Sequence, residues 1–214
     1  MNRDSVKRVC EFYAITHKLK TLTRKGWEQW GIETDRVESV AEHIYGTMML
    51  AFAINSEFGL GLNIEKLMYM LAFHELGECV VGDITPVDGI TREEKEKREL
   101  LAISEILSGI KDAESVKEIS LEYNQKTSKE AVFAKWVDKL ECDFQCKYYE
   151  EKGCNNINFQ RQNLARERIR QNGLKKGYKT LAEMWLNYDK DNFLDNEIYQ
   201  VFIKQLLEED VFKE

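Results

Sequence analysis

Apolar residues recur along most of this chain at intervals of three and four, the spacing that lines up side chains on one face of an α-helix. Val40, Ile44, Met48 and Ala51 form one such stripe, and Phe133, Val137, Leu140 and Phe144 form another. Runs that alternate with a period of two are nearly absent, and strong helix formers dominate. The pattern predicts an all-α protein with helices over 4–20, 37–57, 63–80, 91–108, 112–125, 128–151, 159–171 and 195–211. A weaker helical segment surrounds 178–188. Start signals support several of these. Asn63 and Ser128 suit N-caps, and Thr91 with Glu94 reads as a capping box. Breaks fall at 59–61, at 81–90 around the sole proline, Pro86, at 152–158 and near 173–177.

A chain of 214 residues favours one domain, 1–214, and buries roughly two-thirds of its unfolded surface without a covalent staple. The formal charge of −7 argues against nucleic acid as the main partner, because duplex binders carry a basic surplus. It leaves room for a small phosphorylated substrate held by a few local cations and a metal. The five cysteines are odd in number, scattered and without a CxxC pair, so neither a disulfide framework nor a tetrathiolate zinc site is expected. The start, MNRDSVKRVC, is polar, and no apolar stretch approaches the ~20 residues needed to cross a bilayer. The expectation is a cytoplasmic protein with no membrane partner. Cys142 and Cys146, one helical turn apart, read as small core residues. The basic run over 161–179 reads as a solvated helix face.

Histidine is scarce: His17, His43 and His74 are all there are. His43 and His74 both lie in apolar helical surroundings beside acids. On a continuous helix His74 and Glu75 are about 100° apart and can reach one ion, while Glu78 follows one turn later on the same face. Three ionisable groups within five positions of an apolar helix are costly to bury alone. A divalent cation would offset that cost, and so would a salt bridge to an arginine. Asp138 lies beside the stripe of its own helix, where it is open to two readings: a boundary carboxylate paired with Lys135 or Lys139, or a functional acid.

The order His43, His74-Glu75, Asp138 resembles the H…HD…D signature of the HD-domain metal-dependent phosphohydrolases. Within that family the blocks RKGW (24–27), RVESVAEH (36–43), HELGECVVGDITP (74–86), REEKEKRE (92–99) and VDKLE (137–141) are similar to the small single-domain 5′-deoxynucleotidases. The similarity covers about 15–150, and a helical extension at about 152–214 carries no comparable signal. The resemblance implies a single HD-domain helical bundle in which His43, His74, Glu75 and Asp138 ligate one divalent metal. It further implies Glu78 and Asp83 as catalytic carboxylates, with Arg24 and Trp27 near the phosphate and sugar. Where the family has Asp, this chain has Glu75, one methylene longer.

With only His17 left over, a histidine-rich binuclear centre is not expected. A set of two histidines and two carboxylates suits Mn²⁺, Co²⁺, Fe²⁺ or Zn²⁺ better than Ca²⁺, with Mg²⁺ as a further candidate. The expected activity is removal of the 5′-phosphate from deoxynucleoside monophosphates. Two other readings stay open on the sequence. One is an HD enzyme acting on deoxynucleoside triphosphates or cyclic nucleotides; the other is a degenerate HD-fold nucleotide-binding module. Apolar residues at Ile198, Val201, Phe202, Leu206, Leu207, Val211 and Phe212 form a stripe that packs on its own domain or at a homodimer seam.

Overall fold

The computed structural model describes residues 2–212. Among the described residues the regular structure is eleven α-helices and one 3-10 turn, with a single isolated bridge between Thr23 and Ser39. The all-α expectation holds. The chain falls into two compact units, one made of the residues up to Arg24 with Glu38–Val137, the other of Lys25–Val37 with the residues from Asp138 onward.

The first unit contains α1 (Arg3–Thr16), the 3-10 turn His17–Lys20, α3 (Val40–Glu57), α4 (Ile64–Phe73), α5 (Glu78–Val81), α6 (Arg92–Ile106) and α7 (Ala113–Gln125). In it α3 packs on α4, α4 and α6 pack on α7, and α5 packs on α6. The core joins Leu19, Val40, Leu76, Cys79, Ile103, Ile106, Leu107 and Val116. Side-chain caps fix the helix starts: Asn63 accepts from the amide of Lys66, and Thr91 from that of Glu94. Helix α6 is strongly charged and carries Arg92–Glu96 and Glu94–Arg98 pairs at i,i+4, exposed contacts that add little to stability.

Helix α8 (Lys129–Glu151) runs unbroken, and its residues from Asp138 belong to the second unit. With them come α2 (Lys25–Trp30), α9 (Leu164–Lys175), α10 (Leu181–Asn192) and α11 (Glu197–Glu208). Here Trp27 packs against Tyr149 and Trp185, Trp30 against Trp185, and the guanidinium of Arg166 lies over Trp30. Of the C-terminal stripe, Phe202 packs against Phe144 and Leu206 is buried, while Val201 and Val211 are exposed. Cys142 and Cys146 are buried, as small core residues should be.

Two expectations need correction. The basic run over 161–179 is not simply a solvated face, because Arg161, Arg166 and Arg170 are buried. Their guanidinium groups find specific acceptors that periodicity cannot foresee. Arg170 forks onto Glu167 and also donates to the Ile157 carbonyl, while Arg161 donates to the carbonyls of Asn156 and Phe159. The forked contact and its neighbours hold the Glu167 carboxyl down at about 2. The second correction concerns 63–80, which is not one helix: α4 ends at Phe73 and a tight turn over 74–77 separates it from α5.

Candidate metal centre

Each histidine owes its position to a local device. Ser39 opens α3 with a reciprocal capping box: its hydroxyl accepts from the amide of Glu42, and the Glu42 carboxylate accepts from the amide of Ser39. The helix therefore starts at Val40, and His43 falls one turn in, fully buried. His74 caps the C-terminus of α4, and its Nδ1–H donates to the Leu71 carbonyl at 2.7 Å. The turn that follows closes through i→i−3 bonds, Leu76 to Phe73 and Glu78 to Glu75, both 3.0 Å. Gly77 is what lets α6 approach this turn. A Cβ at that position would lie 2.9 Å from the Cα of Glu99, on backbone that cannot yield without moving α6.

The Leu71 contact fixes the tautomer of His74. With Nδ1 protonated, the lone pair of the neutral ring sits on Nε2. That atom stands 3.4 Å from Nε2 of His43 and 3.7 Å from Oε1 of Glu75. Two nitrogens bound to one tetrahedral ion at 2.0–2.1 Å would be about 3.3–3.4 Å apart, so the spacing matches a shared cation. The ligand atoms of these three residues all lie within 4.8 Å of one another. They could hold a metal, and they fit one in chemistry as well as distance.

A second acidic group adjoins the first. Glu75, Glu78 and Glu99 also bring carboxylate oxygens within 4.8 Å of one another. Glu78 is buried, and neither of its oxygens has a hydrogen bond among the described residues. Burial first, then the charges of Glu75 and Asp83, push its carboxyl well above the usual carboxylate range, against the opposing pull of Arg24 and Lys95. Burial likewise raises Glu99 to about 7. Arg24 is 3.5 Å from Oε1 of Glu75, and Lys95 is 3.6 Å from Glu78 and 3.4 Å from Glu99.

The turn changes the geometry expected of this segment. His74, Glu75 and Glu78 converge because the chain tightens after Phe73, not because a continuous helix presents them on one face. Asp83 follows Gly82, whose φ of 75° is open to glycine and strained for other residues, and this turns the chain out of α5. Asp138 is the residue after Val137 on α8, half-buried, one turn on from the fully buried Ala134. Trp27 is 2% exposed within the aromatic cluster of the second unit. Lys95 and Glu99 had no assigned role, although both lie in the block REEKEKRE; their i,i+4 spacing was the available signal.

An HD-domain family model matches residues 16–192. The 5′-deoxynucleotidase HDDC2 of Dictyostelium discoideum is 37% identical over 150 residues, which cover 66% of this chain and 77% of that protein. The 5′-deoxynucleotidase hdd1 of Schizosaccharomyces pombe is 34% identical over 158 residues, 71% of this chain and 77% of that protein. In fold, a conserved hypothetical protein from Pyrococcus furiosus aligns over 91% of this chain and 99% of its own, with a TM-score of 0.63 at 23% identity. The family match spans most of the chain and takes in every residue of the cluster just described, and on that ground this chain belongs to the HD-domain family.

Proposed function

We propose that this chain is a metal-dependent phosphohydrolase that removes the 5′-phosphate of deoxynucleoside monophosphates. The observation that carries the reading is the pair of imidazole Nε2 atoms set 3.4 Å apart, with Glu75 beside them and the His74 tautomer fixed by Leu71. The relatives, named as 5′-deoxynucleotidases, support the substrate class. His43, His74 and Glu75 would hold one divalent cation, with Asp138 as fourth ligand. The mixed nitrogen and oxygen set suits Mn²⁺, Co²⁺, Fe²⁺ or Zn²⁺, with Mg²⁺ next. When bound, such an ion supplies Lewis acidity and a water of lowered pKa.

The chain's own groups do the rest. Arg24 would fork onto a phosphate, and its contact with Glu75 at 3.5 Å supports that reading. Glu78, whose buried carboxyl favours its protonated form, delivers a proton to the leaving 5′-oxygen. Asp83, set by the Gly82 turn, orients the attacking water. Trp27 supports the sugar side through α2, which its indole anchors. The chain would act as one HD domain in a cytoplasmic setting, which its free cysteines suit, and as a homodimer that sizing chromatography would test.

Metal titration of three proteins tests the centre. Wild type and Glu75→Asp should bind Mn²⁺ within about tenfold of each other, or ~1.4 kcal/mol. Glu75→Gln keeps the length and loses the charge, so its affinity should fall markedly. Equal affinity for wild type and Glu75→Gln would refute ligation by this carboxylate. A panel of nucleoside mono-, tri- and cyclic phosphates, with and without metal, tests the substrate: no phosphate release from any deoxynucleoside monophosphate sinks the reading.

A further inference from the structure

The acids around Glu78 raise a question that the proposed reaction does not answer: what keeps its carboxyl in place. Neither oxygen is hydrogen-bonded among the described residues, although the side chain is fully buried. Glu75 and Glu99 offer oxygens within 4.8 Å of it. Whichever of these acids are ionised, the others offer no opposite charge to hold the carboxyl of Glu78, and like charges at that distance drive one another apart. Two cations face these acids: Arg24, 3.5 Å from Glu75, and Lys95 of α6, which is the one in contact with Glu78 itself.

Lys95 reaches from α6 to within 3.6 Å of Oε1 of Glu78 and 3.4 Å of Oε1 of Glu99. Glu99, one turn later on α6, braces the ammonium from its own helix. The arrangement depends on the close approach at Gly77, where a side chain would lift α6 from the turn that carries Glu78. Burial disfavours the charged amine, but the charges of Glu75, Glu99, Glu78 and Asp83 outweigh it and raise its pKa above the ordinary lysine value. Lys95 therefore stays cationic amid four acids. Two of these, Glu78 and Asp83, have roles in the proposed reaction.

We propose that Lys95, braced by Glu99, is the positioning residue that holds the carboxyl of Glu78 in place for proton transfer. The ammonium engages Oε1 and leaves Oε2 to meet the substrate oxygen. The inference rests on the phosphohydrolase reading and assigns a role to the block REEKEKRE that no ligand or substrate contact explains. A lysine serving only as structural glue would affect stability and leave the catalytic contribution of Glu78 intact.

A double-mutant cycle on the metal-loaded full chain separates these cases, read with a deoxynucleoside monophosphate. Lys95→Met should lower kcat by about 10–100-fold, with KM and metal stoichiometry unchanged, because the loss falls on the transition state alone. Lys95→Arg, which keeps a cation, should recover most of that loss. On a Glu78→Gln background, Lys95→Met should cost less than about twofold, since residues acting through one another are not additive. Equal losses on both backgrounds, a loss carried by KM, or full activity in Lys95→Met would each overturn the positioning role. Should Lys95→Met fail to fold, as thermal unfolding would show, Lys95→Gln and Lys95→Arg complete the cycle on the same criteria. Wild type that releases no phosphate would overturn the functional reading and this inference with it. Active wild type with an indifferent Lys95 overturns this inference alone.

Discussion

Two groups of buried acids, one in each unit, reach opposite solutions to the same electrostatic problem. In the first unit Glu75, Glu78 and Glu99 meet side-chain cations, Arg24 and Lys95 among them, and Glu75 lies beside His43 and His74. In the second, Asp143 on α8 and Asp189 on α10 meet each other. Asp143 accepts a short hydrogen bond from the Tyr199 hydroxyl, and Asn192 donates to Asp189 at 3.4 Å. Burial is the first cause of the raised carboxyl pKa in both aspartates, and the charge of Asp189 raises Asp143 further. Lys139 pulls both of them the other way. Carboxyls raised by burial and a phenol make up the second group. The first keeps charge, cations and imidazole lone pairs in one place. Buried acids alone do not mark a reactive centre; the histidines and cations in their company do.

The sharpest way to break this contrast is to remove a histidine. His74→Ala should weaken metal binding by more than about 100-fold and take phosphatase activity with it, since even supporting residues of such sites cost 10–100-fold. Stoichiometric metal in that variant, measured by elemental analysis, would make the first group merely structural. Next in size, Glu78→Gln should keep its metal and lose about 10²–10⁴ in kcat. Asp143→Asn, by contrast, should leave kcat within about twofold, as expected for a residue outside the chemistry. Comparable losses in the two variants would erase the distinction.

Smaller effects sharpen it. Gly77→Ala should cost about 1–3 kcal/mol, the usual range for forcing atoms into packed space, because the new methyl meets the backbone of Glu99. Thermal unfolding reads the loss, and an unchanged midpoint would mean that α6 yields easily. The smallest effect is a pH dependence. A carboxyl whose folded pKa lies above its unfolded value near 4 loses stability for the fold as pH rises from that value toward the folded one. Below about pH 4 both states are protonated and the cost vanishes. Asparagine cannot ionise and can still accept from Tyr199. Asp143→Asn should therefore gain stability over wild type as pH rises above about 4, read as a thermal midpoint that climbs relative to wild type. A gain that shrinks with pH would contradict the raised carboxyl.

Much of the site was legible because metal chemistry restricts residue types. Scarce histidines in apolar stripes, each beside an acid, mark His43, His74 and Glu75 as candidates, the resemblance to the HD family implies them as ligands, and the structure brings those three together. The helices were legible too, because burying one face requires a period near 3.6 and because Asn63 and Thr91 are good caps. The end of α4 was not. Nothing local in the apolar run after Asn63 stops a helix at Phe73. The stop reflects the packing of α6 against Gly77 and the Leu71 carbonyl taken by His74. Lys95 and Glu99 looked like one more i,i+4 pair on a charged helix. Nothing in the sequence sets Asp143 apart from its acidic neighbours Asp138 and Glu141. The buried arginines of 161–170 looked like surface. Sequence alone determined which side chains could do chemistry and the helical frame that carries them, since residue type and period are local properties. Tertiary structure decided which of the charged ones meet, because a long flexible charged side chain finds its partner only when another element of the fold brings that partner within a few ångströms.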